Sequence, residues 1–127
     1  MAWSGAHNRE LVAIVDDDES VRNAVHGVLR SVGLKTRTFS SAEEFLESEE
    51  QSQTGCVITD VQMPGMTGLE LQARLAAAER RIPIIFITAY GNPRMRAQAL
   101  KAGAVDFLGK PFNDEVLLKS VRSALEG

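Results

Sequence analysis

Residues 57–65 read Val57-Ile58-Thr59-Asp60-Val61-Gln62-Met63-Pro64-Gly65. A short apolar run reaches one carboxylate and then breaks at Pro64-Gly65. An apolar run of that length between turn residues suits a buried strand, expected here over about Cys56 to Asp60. Asp60 then falls at the strand's carboxyl end, where parallel sheets place their ligand sites. In that position it is a candidate chemical target, a carboxylate able to take a phosphoryl group.

Upstream, Leu11-Val12-Ala13-Ile14-Val15 is a second continuous apolar run, followed by Asp16, Asp17 and Asp18. A strand without polar alternation is covered on both faces, which points to a parallel sheet. Val21, Ala24, Val25, Val28, Leu29 and Val32 then form one helical stripe, and Gly33 suits the C′ position that ends it. Lys35 to Phe39 reads as a more polar edge strand. Ser40 and Ser41, each three residues before a glutamate (Glu43 and Glu44), signal the start of a short second helix. Glu47 to Thr54 is acidic and reads as a solvated connection.

Downstream, Thr67-Gly68-Leu69-Glu70 is a capping box that opens a third helix. Ile82 to Thr88 is the expected fourth strand, with Pro83 tolerable only at its start. Asn92-Pro93 is an N-cap with proline at the first helical position, and that helix should run to about Ala102 and stop at Gly103. Ala104 to Leu108 is the expected fifth strand. Asn113 caps a last helix whose Leu117, Val121, Ala124 and Leu125 line one face. Strand and helix alternate five times along the chain. Right-handed crossovers then give an α/β, doubly wound parallel sheet with helices on both faces.

The 127 residues suffice for one domain and a core that needs no disulfide or metal. Residues 1–9 read as a loose tail in which Trp3 is incidental, and residues 10–127 as the domain. Net charge is −3, which argues against a nucleic-acid face on this domain. Cys56 is the only cysteine, so neither a disulfide framework nor a Cys-rich zinc site is available; it reads as a small core residue. No apolar stretch approaches the roughly 20 residues that span a bilayer, and no signal-peptide pattern opens the chain. The expected location is the cytoplasm, with no membrane partner.

Four groups fall at the carboxyl ends of expected strands: Asp16-Asp17, Asp60, Thr88 and Lys110. In a doubly wound sheet those ends share one edge. Three carboxylates crowded there raise one another's pKa unless a cation is present. A hard divalent ion such as Mg²⁺, which takes oxygen ligands and phosphate together, relieves the repulsion. It would also neutralise charge on a transferring phosphoryl group. Lys110 offers a point charge, and Thr88 a hydroxyl, to phosphate oxygens. Taken singly, each has an ordinary explanation. An acidic run after a strand is usually a solvated loop or an N-cap, a strand-end threonine reflects β-propensity, and a lone lysine is usually in water. Only their joint placement points to phosphoryl chemistry.

Val15-Asp16-Asp17-Asp18, the stretch from Thr59 to Gly65, Thr88-Ala89-Tyr90 and Gly109-Lys110-Pro111-Phe112 together resemble the receiver domain of two-component response regulators. Ala102-Gly103-Ala104-Val105-Asp106-Phe107-Leu108 further resembles the FixJ-like (NarL/FixJ-type) subgroup, whose receivers usually precede a helix-turn-helix DNA-binding domain. The resemblance implies a flavodoxin-like fold with strand order 2-1-3-4-5. It implies that Asp60 accepts phosphoryl from a sensor histidine kinase. Asp17, Asp60 and the backbone carbonyl of Gln62 would ligate Mg²⁺, with Asp16 acting through water. Thr88 and Lys110 would hold the phosphoryl oxygens. Thr88 and Phe107 would be the switch pair, Phe107 turning inward. The Lys110-Pro111 bond would be cis. The output would be a changed surface of the fourth helix, fifth strand and fifth helix, used for a phosphorylation-dependent homodimer. DNA would be met only through an output domain absent from this chain.

Gln62 and Tyr90 occupy flanking positions that vary in the family, and Phe107 lacks a tyrosine hydroxyl. His26 lies off the helical stripe and reads as solvated, as do Arg94 and Arg96. Met63 and Met66 read as cover, and Met95 and Val105 as core or dimer-face residues. On this reading the chain is a switch and not an enzyme in the ordinary sense. Within that reading it is a transcription factor's receiver or a stand-alone regulator. The alternative class is a phosphohydrolase with an aspartyl-phosphate intermediate. Such enzymes place a second Asp two residues after the nucleophile, where this chain has Gln62. No G-x-G-x-x-G follows the first strand, which disfavours dinucleotide binding.

Overall fold

A computed structural model describes residues 9–126; the expected tail, Trp3 included, lies outside them apart from the exposed Arg9. The elements run β1 (Leu11–Val15), α1 (Glu19–Ser31), β2 (Thr36–Phe39), α2 (Ala42–Glu47), a 3₁₀ turn (Glu49–Gln53), β3 (Thr54–Thr59), α3 (Gly68–Ala77), β4 (Ile84–Thr88), α4 (Pro93–Lys101), β5 (Asp106–Gly109) and α5 (Asp114–Glu126). The five strands are parallel in the order β2-β1-β3-β4-β5. The strand–helix alternation and the resemblance both point to this architecture.

The period-2 geometry of a strand sends successive side chains to opposite faces. Ala13, Val15, Val57 and Phe86 thus join Phe45 of α2, Leu71 of α3 and Ala99 of α4 in one apolar layer. Val12, Ile14, Ile58 and Ile85 join Val25 and Leu29 of α1 and Leu117 and Val121 of α5 in the other. Strands β1, β3 and β4 are buried throughout, which is why they read as unbroken apolar runs. Cys56 is buried in the second layer, and burial pushes its thiol up to about 12.

Local chemistry sets the helix ends. Asp18 caps α1, Ser41 caps α2, Asn92 caps α4, and Thr67 with Glu70 forms a complete capping box on α3. Leu34 N–H donates to Leu29 O and Gly33 N–H to Arg30 O, with Gly33 at φ +81°, so α1 ends in a Schellman motif. The α4 terminus repeats this at Gly103. So does α3, but with Glu79 at φ +57° in the position that glycine usually fills.

The structure departs from the sequence reading at several boundaries. β5 starts two residues later than expected. Ala104 N–H is consumed by the α4 terminus, bonding Ala99 O, so the strand begins beyond it. β3 begins at Thr54 and ends at Thr59, leaving Asp60 just past the last strand residue. β4 begins at Ile84, after Pro83, which lacks the N–H a ladder needs. The segment read as a solvated connection contains the 3₁₀ turn, closed by Thr54 Oγ1 donating to Glu50 O at 2.7 Å.

His26 is not solvated. It is half-buried between α1 and β2, its Nδ1 2.6 Å from Thr36 Oγ1. Arg96 is not simply in water either: its Nη1 donates to the Phe107 carbonyl at 3.1 Å, tying α4 to β5. No described helix is long and apolar enough to cross a membrane.

Candidate functional site

The carboxyl ends of β1, β3, β4 and β5 deliver the acids, the threonine and the lysine to one edge of the sheet. Asp16 follows β1 directly and is 1% exposed; Asp17 beside it is exposed. Asp60 follows β3, held by its own N–H donating to Val15 O at 3.2 Å. One carboxylate oxygen from each of Asp16, Asp17 and Asp60 lies within 4.8 Å of the others. Lys110 reaches in from the segment after β5. Its Nζ is 2.7 Å from Asp60 Oδ2 and 3.1 Å from Asp16 Oδ2. Lys110 itself is positioned by its N–H donating to Thr88 O at 2.9 Å, and its bond to Pro111 is cis.

The remaining carboxylate oxygens face backbone donors. Asp16 Oδ1 accepts Asp18 N–H at 2.9 Å, and Asp60 Oδ1 accepts Gln62 N–H at 3.2 Å. Arg22 of α1 reaches back so that Nη1 donates to Asp16 O at 2.7 Å, fixing the acidic turn. Thr88 is buried at the end of β4, and its Oγ1 accepts Tyr90 N–H at 3.3 Å. Tyr90 is 76% exposed.

Phe107 lies inside the first apolar layer, its ring centroid 6.0 Å from that of Phe86. Gly91 makes room for it. A Cβ at Gly91 would lie 2.8 Å from Phe107 Cε1 and 2.9 Å from Thr88 Cγ2.

Three residues that shape the site carry no site role in the sequence reading: Arg22, Gly91 and Gly68, where a Cβ would lie 2.1 Å from Asp60 O. The two glycines have ordinary φ values and matter only through what they touch across the fold. Arg22 was visible as a basic residue six positions after Asp16, but no local rule says which way it turns.

Burial raises the Asp16 carboxyl above its ordinary 3.8, opposed by the Asp18 N–H and by Lys110. Burial pulls the Lys110 ammonium down, but its bonds to Asp60 and Asp16 outweigh this and leave it raised. The bond from the Ser20 hydroxyl lowers the exposed Asp18 carboxyl. For Asp16 the sign follows from proton binding. The folded chain holds this proton more tightly than the unfolded chain does, so the stability Asp16 contributes declines as pH rises through the window above 3.8. Relative to the parent, Asp16→Asn in chelator is therefore expected to gain stability across that rise and level off above it. Urea unfolding of both proteins over a pH series measures this. A flat difference would mean that burial does not shift Asp16.

The ligand atoms the acidic cluster offers are carboxylate oxygens, a set that suits a hard cation such as Mg²⁺ better than a soft metal. Asp16, Asp17 and Asp60 could hold such an ion, with the carboxylate repulsion partly offset by Lys110.

Comparison with known proteins agrees with this geometry. The family described as response regulator receiver domain matches residues 12–122. The response regulator protein TmoT of Ectopseudomonas mendocina is 47% identical over 116 residues, covering 91% of this chain and 53% of TmoT. The transcriptional regulatory protein FixJ of Bradyrhizobium diazoefficiens is 38% identical over 114 residues, covering 90% of this chain and 56% of FixJ. The chain thus spans about half the length of these curated relatives. Among solved structures, FixJ-N superposes with a TM-score of 0.83 at 40% identity, covering 91% of this chain and 93% of that one. The response regulator StyR superposes with a TM-score of 0.85 at 46% identity, covering 91% of this chain and 59% of that one. An acidic cluster bridged by a lysine on a β2-β1-β3-β4-β5 sheet, matched by family and by neighbours, places this chain among the response regulator receiver domains of two-component systems, beside transcriptional regulators of the FixJ kind.

Proposed function

We propose that the chain accepts a phosphoryl group on Asp60 from a phosphohistidine of a sensor kinase and changes its surface in response. The observation that carries this is the Lys110 ammonium seated 2.7 Å from Asp60 Oδ2 beside two further carboxylates. In the transfer, an Asp60 carboxylate oxygen attacks phosphorus, an O–P bond forms, and the N–P bond to the donor imidazole breaks. The imidazole nitrogen keeps the bonding pair. Lys110 balances charge on the phosphoryl oxygens, and the Thr88 hydroxyl, freed from Tyr90 N–H, donates to one of them. Asp16, Asp17, Asp60 and the Gln62 carbonyl would hold Mg²⁺, which supplies charge neutralisation to the phosphoryl oxygens.

The output lies at α4, β5 and α5. Movement of Thr88 alters the packing of Phe107, and Phe107 O is tied to α4 through Arg96. Leu100 on α4, Val116 on α5 and Val105 in the connection just before β5 are exposed apolar side chains and suit a phosphorylation-dependent homodimer. The FixJ-type relatives, of which the match covers 54–56%, support a place in a transcriptional regulator that meets DNA through another domain. A phosphohydrolase is disfavoured because Gln62 stands where such an enzyme needs a proton donor.

Intact mass after incubation with Mg²⁺ and acetyl phosphate tests the reading. One phosphoryl adduct is expected on the parent, none on Asp60→Asn, and none in chelator. Sustained turnover of the donor without an adduct would favour hydrolysis instead.

A further inference from the structure

The loop from Asp60 to Thr67 is fastened at each end. Asp60 N–H is bonded to Val15 O, and Gly68 N–H donates to Val61 O at 2.8 Å. Val61 and Met63 are buried in the first apolar layer, while Gln62 between them is exposed. Beyond Met63 the backbone turns at Pro64-Gly65, with Gly65 at φ +75°. At this turn a residue from another element takes hold. Glu43, in the first turn of α2, accepts Met66 N–H on Oε2 at 3.1 Å across 23 residues of sequence. The carboxylate passes so close over the turn that a Cβ at Gly65 would lie 2.5 Å from Glu43 Oε2.

Nothing at the acidic cluster itself uses Glu43, and its helix is already capped by Ser41, which accepts Glu44 N–H at 3.0 Å. The cross-element bond therefore has the character of a strut. We infer that Glu43 is a positioning residue, whose carboxylate oxygen holds the Asp60–Thr67 loop so that Gln62 presents its backbone to a divalent cation shared with Asp16, Asp17 and Asp60. This rests on the metal reading proposed above. It concerns the accepted hydrogen bond and not the charge, because Glu43 acts on backbone and an amide oxygen accepts the same N–H.

Mn²⁺ binding, followed by electron paramagnetic resonance of the free ion, reads the effect without any phosphoryl transfer. Glu43→Ala is expected to raise the Mn²⁺ dissociation constant by about tenfold, the lower end for residues that orient metal ligands from behind. Glu43→Gln should stay within about twofold of the parent, since it keeps the acceptor. Both variants should melt within about 2 °C of the parent, because the side chain is exposed. Unchanged Mn²⁺ affinity in Glu43→Ala, with the parent binding, would overturn the role and leave the metal site standing. Equal weakening in both variants would overturn it in favour of charge. Weakening accompanied by a large fall in melting temperature would mark Glu43 as merely structural. A parent that binds no Mn²⁺ would remove the metal reading and this inference together.

Discussion

Lys110→Met is expected to lower the unfolding free energy by ~3 kcal/mol in chelator and to abolish phosphoryl uptake. Removing one partner of a buried ion pair costs ~3–5 kcal/mol, because the other charge stays desolvated. The lower end applies here, since the Lys110 side chain is 17% exposed and that of Asp60 11%. The Asp16 side chain, at 1%, has no such relief and loses a bonded cation. For a chain of this size ~3 kcal/mol corresponds to about 10 °C in Tm. Millimolar Mg²⁺ should recover more of that loss in the variant than it adds to the parent, since a ligand that binds only the folded form stabilises by mass action. Thermal unfolding with and without Mg²⁺ measures both effects. A variant as stable as the parent in chelator would mean that the three carboxylates do not need the lysine, and the electrostatic account of the site would fail.

Gly68→Ala is expected to cost ~2–4 kcal/mol, with the opposite sign to a glycine replacement elsewhere in the same fold. A Cβ at Gly68 would lie 2.1 Å from Asp60 O and 3.1 Å from Phe86 Cε1. Overpacking usually costs ~1–3 kcal/mol, and about 3–5 kcal/mol is expected here because the obstacle is backbone, which gives way less readily than a side chain. The gain in helix propensity, ~1 kcal/mol, opposes this without cancelling it. Gly27 is the control. It sits in α1 with nothing within 4 Å of a built Cβ, so Gly27→Ala should stabilise by up to ~1 kcal/mol. Denaturant midpoints for both variants test the pair. Phosphoryl uptake by Gly68→Ala should also fall, since Asp60 and the start of α3 must separate. Equal stability of the two variants would show that the loop after Asp60 yields easily.

The contrast between these glycines marks where sequence reading stops. The strand order and the edge that gathers Asp16, Asp60, Thr88 and Lys110 followed from unbroken apolar runs, capping signals and motif resemblance. These are local patterns, each carried by residues close in sequence. The Thr67–Glu70 capping box and the Gly33 terminus were legible for the same reason. Glu43, Gly68, Gly91 and Arg22 work through contacts between elements that only the folded chain brings together. Their identities suggest nothing more than a helix-surface acid, two glycines at ordinary φ and a helix-surface base. Glu79 shows the same limit from the other side. It takes the left-handed position at the end of α3 without the glycine that would have announced it. His26 was misread because its bond to Thr36 depends on how α1 sits against β2.

The lysine that completes the acidic cluster lies 94 residues beyond Asp16 and 50 beyond Asp60. During synthesis the three acids therefore leave the ribosome long before their cation. Until β5 has emerged and docked beside β4, Asp60 has no lysine beside it. Pairings so distant in sequence form late, because the loop they close is long. On the proposed reading, competence to receive a phosphoryl group on Asp60 would be tied to completion of the sheet.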